Sequence, residues 1–268
     1  ALVVYDWLVA ISLLENVIDN KKKQSWLNIL RPSVDYLIKS DEHHGLISNH
    51  LATAAAALFR WGLYANNEGE NKAHKLLERI LENQSQEGWF IEYDGMDPGF
   101  QSLCTYYLSD IHITRPDIGL LEPLRKSIKF LRHFVHPDGS FGGYYGSRNT
   151  RFYFPAGFEA LASEVPEAKM ISNFMRKSIE TKKVVTLMSM DEPNLIPMFN
   201  CYCWSAALSL NNIRNDIYSY NYDFIKSNRV YFDDAGILIL NNQESYIIIP
   251  IKKGGVCYHF DSNNKLSI

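Results

Sequence analysis

Three times between Asp41 and Lys183 the chain passes through one cycle: a long polar loop bearing glycine, a helical segment almost without charge, and a strongly amphipathic helical segment. The first cycle is the plainest. Its loop, DEHHGLISNH (Asp41 to His50), leads into an alanine-rich stretch over residues 50 to 64 whose only charge is Arg60. A helix without a polar face has to be enclosed on most sides. Residues 69 to 83 then set Leu76, Leu77, Ile80 and Leu81 on one side and charge on the other, as a helix with one solvent face does.

The second cycle comprises the loop Gln84 to Phe100, the nearly uncharged SLCTYYLSDIH and the amphipathic Gly119 to Val135; the third comprises His136 to Pro155, GFEALASE and Pro166 to Lys183. Pro197 to Leu210 supplies one more inner segment. Residues 2 to 18 and 24 to 39, the latter around Pro32, form a helical hairpin ahead of the first loop. The loop glycines Gly45, Gly88 and Gly139 stand about 40 to 50 residues apart, the length of a hairpin plus a loop. This pattern predicts a mainly α fold: an incomplete α/α toroid of helical hairpins, with the loops that precede the inner helices gathered over one cavity. The loops are longer than helix connections require.

From Arg229 the period changes. VYFDDAGILILNN, ESYIIIPIKKGG and VCYHFDSN read as three or four antiparallel strands joined by Asp-Ala-Gly, Asn-Asn-Gln and Lys-Lys-Gly-Gly turns. The expected organisation is a toroid over 1–212, a linker over 213–228 and a short β region over 229–268. So few strands do not close a sandwich, so they either pack on the helices or open a larger β domain.

With 46% apolar and 21% charged residues in 268, the chain has the composition of an ordinary globular core. A net charge of −3 without a basic patch argues against nucleic acid as a partner. No run of about 18 apolar residues predicts a membrane span. The first residues contain Asp6 and read as a helix and not a signal peptide, while the missing initiator Met suggests processing or an excerpt. The compartment, cytoplasm or periplasm, stays open. Cys104, Cys201, Cys203 and Cys257 are too few and scattered for a disulfide framework and are expected to be free thiols.

The loops concentrate amide, imidazole, phenol and guanidinium groups. Asn49 and His50 sit where the first inner helix begins, and a helix N-terminus is a natural seat for an anion. Trp89, Tyr93 and Asp97 lie in the second loop; Tyr144, Tyr145, Arg148 and Arg151 lie in the third. His43 and His44, beside Asp41 and Glu42, lack the spacing of metal ligands, so neither a metal nor another cofactor is expected.

Three stretches carry a family resemblance. SNHLATAAAALFRWG (Ser48 to Gly62) looks like the Asn-His helix start of the heparinase II/III-like and alginate-lyase-like polysaccharide lyases; EGWFIEYDGMDPGFQSLCTYYL (Glu87 to Leu108) resembles their acidic, glycine-rich loop; FDDAGILIL (Phe232 to Leu240) resembles the opening strands of their β domain. The resemblance implies β-elimination on, or binding of, an acidic uronate-containing polysaccharide or oligosaccharide. Removing the proton alpha to a carboxylate requires that carboxylate to be neutralised first. On this reading Asn49 holds the carboxylate, His50 takes a proton, and Tyr93 serves as base or acid at the glycosidic oxygen. Arg148 and Arg151 bind the acidic sugar, with Tyr144, Tyr145, Asp97 and Trp89 completing the binding set. The chain departs from the pattern at Phe100-Gln101, where many of these lyases have a Tyr-His pair, so Tyr93, Tyr106 or Tyr107 has to replace that tyrosine.

Each residue also has a plainer reading. Asn49 serves equally as an N-cap, Asp97-Pro98 as a helix start, Tyr144 and Tyr145 as loop packing, and the arginines as partners of Asp94, Asp97 or Glu159. Two other functions compete. One is a noncatalytic glycan-binding or surface-polysaccharide-assembly scaffold. The other is a terpenoid-cyclase or prenyltransferase-like toroid, suggested by DGSFGGYYGSRNT but lacking a diphosphate-binding acidic cluster. A toroid hydrolase would need two facing carboxylates, for which Glu92, Asp94 and Asp97 are the candidates.

Overall fold

A computed structural model describes residues 1–41, 45–211, 228–242 and 244–267. It is mainly helical, with an antiparallel sheet at the C-terminal end. The helices are α1 (Leu2–Leu13), α2 (Asn20–Lys39), α3 (Ser48–Tyr64), α4 (Glu70–Glu82), α5 (Pro98–Thr114), α6 (Leu121–Leu131), α7 (Ala156–Ala160), α8 (Pro166–Glu180) and α9 (Glu192–Asn211). The histidine pair His43 and His44, with Glu42, and all but the last residue of the expected linker lie outside the described residues.

Charge sorts the helices into two sets. The odd-numbered ones touch in chain order, α1 with α3, α3 with α5, α5 with α7 and α7 with α9, and α9 touches α1. The even-numbered ones lie against them, α2 and α4 on α3, α6 on α5 and α8 on α7. Thus α4 buries Ala73, Leu76, Leu77 and Ile80 and keeps its charges outside, whereas α5 is buried along almost its whole length.

Two features differ from expectation. The segment GFEALASE forms only the five-residue α7 followed by turns, and its position depends on Gly157. A β-carbon there would lie 2.9 Å from the backbone nitrogen of Tyr106, so α7 crosses α5 at a distance only glycine allows. Among the described residues the sheet has five strands, not three or four: β1 (Asn228–Phe232), β2 (Ile237–Asn241), β3 (Ser245–Pro250), β4 (Tyr258–Asp261) and β5 (Leu266–Ser267), each paired with the next. Alternation places Ile237, Ile239, Tyr246, Ile248, Tyr258 and Phe260 on one face, where they bury Met96, Phe130, Phe134 and Tyr145. The sheet therefore packs on the second and third loops and the end of α6.

All four thiols are free; Cys104 and Cys201 are buried, but Cys203 is half-buried and Cys257 exposed. Among the described residues no helix is long and apolar enough to cross a membrane.

The apolar interior between the odd-numbered helices also encloses polar side chains. On α1, Asp6 accepts a hydrogen bond from the Asn200 amide of α9 at 2.8 Å, and the same amide reaches the Tyr106 hydroxyl of α5 at 3.2 Å. Burial pushes the Asp6 carboxyl up to about 7, against the Asn200 bond that favours its ionised form. A carboxyl raised in this way stabilises the fold fully below its ordinary value of 3.8 and loses that contribution as the pH climbs to about 7. Stability measured by denaturant titration is expected to fall by up to about 4 kcal/mol over that window. Asp6→Asn should flatten the profile, and equal slopes in both proteins would rule Asp6 out as its source.

Candidate functional site

The three loops are tied to one another before any of their side chains meets a ligand. Ile47 and Glu92 pair in an isolated antiparallel bridge, and the Ser48 N–H donates to the Ile91 carbonyl at 3.0 Å. Asn49 is not the cap of α3, because Ile47 occupies that position without a side-chain bond. The cap comes from the second loop instead. Glu92, fully buried, lies with Oε1 2.9 Å from the Asn49 backbone N–H and Oε2 2.6 Å from its side-chain Nδ2. The α3 N-terminus is thus not an open anion seat; a carboxyl of the chain already occupies it.

Asp97 performs a parallel task. Its side chain caps α5 through the Phe100 N–H at 3.1 Å, with Pro98 at the first turn. It also accepts from the Arg148 N–H at 2.9 Å, the Thr150 N–H at 3.3 Å and the Thr150 hydroxyl. The third loop runs so close over this helix start that a β-carbon on Gly99 would meet Thr150. Burial raises the Asp97 carboxyl above its ordinary value in spite of these donors. Fully buried and enclosed by backbone, it presents nothing to a substrate.

Between these two anchors the turn Glu92-Tyr93-Asp94-Gly95 projects outward. Tyr93 and Asp94 hold φ of 55° and 65°, the left-handed region that bulky side chains rarely enter. The turn aims the Tyr93 ring at its neighbours. The His50 ring lies edge-on at 6.4 Å, the Phe100 ring also at 6.4 Å, and the Arg148 guanidinium stands over the Tyr93 ring at 4.3 Å. His50 is exposed and, with Asn49, Thr53, Phe100 and Leu103, lines a cavity of about 670 Å³ bounded by α1, α2, α3 and α5. Lys72 of α4 and Asp41, 3.5 Å apart, stand at the same cavity. Because Lys72 looks like any charge on an outer helix, nothing in its sequence context marks it.

Asn49, His50, Tyr93 and Arg148 are therefore brought together from three loops, and the other named residues are not. Arg151 stands over the ring of Tyr144 at 5.9 Å, in a group that includes Tyr258 of β4. Tyr145 is 2% exposed, its hydroxyl 2.7 Å from Nε2 of the buried His136 and its ring against Phe134 and Tyr258. It is a core residue between loop and sheet, with no face for a sugar. Trp89 donates to Glu87 at 3.1 Å, and Glu87 in turn accepts the Asp234 and Ala235 N–H groups of the sheet; the indole braces that junction. Glu159, offered above as a partner for the arginines, accepts instead from Arg176 and Ser172 of α8.

No family model matches the chain, and no curated protein matches it in sequence. The site has to be read from its own chemistry. An imidazole and a phenol in ring contact are groups that move protons, a guanidinium binds carboxylates, and an amide stands at the cavity wall. Among the described residues no group of three or more His, Cys, Asp or Glu is arranged to hold a metal ion.

The anchoring role of Asp97 has a direct test. Asp97→Ala removes an N-cap and three further bonds from a buried position, and should lower stability by about 2–4 kcal/mol, with Asp97→Asn intermediate. Thermal unfolding of both variants checks this. A melting temperature within a degree of the wild type for Asp97→Ala would mean that the loops do not depend on it.

Proposed function

We propose that the chain is a polysaccharide-lyase-like α/α toroid that binds an acidic, uronate-containing glycan across the cavity at the head of α3, with β-elimination as the reaction its residues carry. The contacts of α1, α3, α5, α7 and α9 in chain order, with α9 against α1, support the toroid. The observation that carries the function is the meeting of His50, Tyr93 and Arg148, one residue from each loop. Arg148 receives the uronate carboxylate with the Asn49 amide. With that charge neutralised, a base removes the proton on the carbon beside the carboxylate; the electron pair becomes the ring double bond, the glycosidic C–O bond breaks, and the departing oxygen takes a proton. His50 and Tyr93 are the two groups placed to exchange those protons.

Noncatalytic glycan binding is the second reading, favoured by Phe100. Where the lyases this chain resembles have a phenol, a plain aromatic ring lines the cavity and packs on Tyr93. Incubation with uronate polysaccharides, followed by the ultraviolet absorbance of the unsaturated product, separates the two. Elimination predicts a rising signal that falls at least about a hundredfold in His50→Ala and in Tyr93→Phe. No signal with any uronate, but retention on an acidic-glycan column that Arg148→Ala weakens, establishes binding alone. Failure of both sinks the glycan reading.

A further inference from the structure

Glu92 is a fully buried carboxyl whose side chain meets Asn49 of the proposed site, and the mechanism above does not use it. Its two oxygens face a single residue. The backbone N–H of Asn49 donates to Oε1 at 2.9 Å, a usual N–H···O length, whereas the contact between Oε2 and the Asn49 side-chain amide is 2.6 Å. Either an N–H or an O–H donor can make that second contact. The nitrogen and oxygen of an asparagine amide have the same shape and are told apart only by their partners. We propose that Glu92 is a positioning residue that carries a proton, donates it to the Asn49 carbonyl oxygen, and so turns the Asn49 NH₂ toward the cavity, where it meets the carboxylate of an acidic ligand.

Burial and charge agree with this assignment. The groups that act on Glu92 are the Asn49 donors, which favour its ionised form, and Asp97, which disfavours it; no basic side chain is among them. Desolvation, the largest influence, drives the carboxyl well above its ordinary value. Cys104 of α5, the other titratable group coupled to it, is itself buried and held as a thiol by desolvation. The start of α3 does favour an anion, but less than burial without a cationic partner disfavours one. The proton stays. With Glu92 ionised, the amide would turn its N–H groups inward and offer the ligand carboxylate a carbonyl oxygen instead.

This inference deepens the glycan reading and rests on it only for the identity of the ligand. Glutamine reproduces a protonated glutamate, with an acceptor for the Asn49 N–H and a donor for its carbonyl. Glu92→Gln is thus expected to keep the wild-type melting temperature within about two degrees and, with a galacturonate oligosaccharide as probe, the wild-type affinity within twofold. Glu92→Leu, of similar bulk and without a donor, should lose about tenfold in affinity. Carboxyl carbon NMR of the wild type needs no ligand, and the Glu92 signal should stay at its protonated position through pH 7. A Glu92 signal that titrates near pH 4 to 5, or a Glu92→Gln variant clearly less stable than wild type, overturns the proposal whatever the glycan does. If the carboxyl stays protonated and Glu92→Gln is stable, yet the probe binds neither protein, the amide orientation holds and the glycan reading is what fails.

Discussion

The ion pair between Arg60 and Asp110 sets the frame in which everything else is placed. Each side chain is almost wholly buried, and two parallel bonds of 2.5 Å join the guanidinium of α3 to the carboxylate of α5. The same guanidinium lies over the ring of Tyr5 on α1, at 5.8 Å, and that of Trp204 on α9, at 5.1 Å. One cation on α3 thus reaches three other helices. Deleting either partner of such a pair strands a charge in the interior, at a cost of about 3–5 kcal/mol, so the relative positions of α3 and α5 are tightly specified. Their N-termini carry Asn49 and Asp97, and the loops inherit that geometry.

Above the frame, the second loop is organised by three acids, each tied to a different part of the molecule. Glu87 accepts from the turn between β1 and β2, Glu92 caps α3, and Asp97 caps α5 while holding the third loop. Such a loop looks like a ligand-binding acidic segment, yet these three carboxyls are consumed internally. What it leaves outside is the apex, Tyr93 and Asp94, in a backbone conformation that costs roughly 1 kcal/mol or more per residue. That strain persists because both ends of the turn are pinned, and it sets the Tyr93 ring between His50 and Arg148.

Much of the helical order was legible because burial writes itself into charge spacing. Segments nearly free of charge became α3, α5 and α9, and the amphipathic ones became α4, α6 and α8. The brevity of α7 was not legible, since it follows from a close crossing at Gly157 that only the assembled fold reveals. Nor was β5, whose two residues are too few to show alternation. For the site, Asn49, His50 and Tyr93 stood out by residue type. Trp89, Asp97 and Tyr145 stood out for the same reason, although they brace loop and sheet, because sequence does not distinguish an aromatic or acid facing a ligand from one facing a neighbouring strand. A signal for the central clamp was present: Arg60 and Asp110 are lone charges in otherwise uncharged helices, and such charges need each other.

Phe100 and Gln101 occupy the two positions at which the proposed lyase reading calls for a Tyr-His pair. Phe100 is half-buried against Tyr93 and Phe152. Gln101 is fully buried, its amide donating to the Ser127 hydroxyl at 2.9 Å and to the Gly88 carbonyl at 3.3 Å. One has no proton to exchange and the other has its donor committed to the junction between the second loop and α6. The imidazole of His50 and the phenol of Tyr93, in ring contact here, stand on different loops. Their separation is governed by the Ile47–Glu92 bridge and by the Asn49–Glu92 contact. The buried carboxyl thus fixes how the second loop sits against the start of α3, and with it the spacing of the His50 and Tyr93 rings.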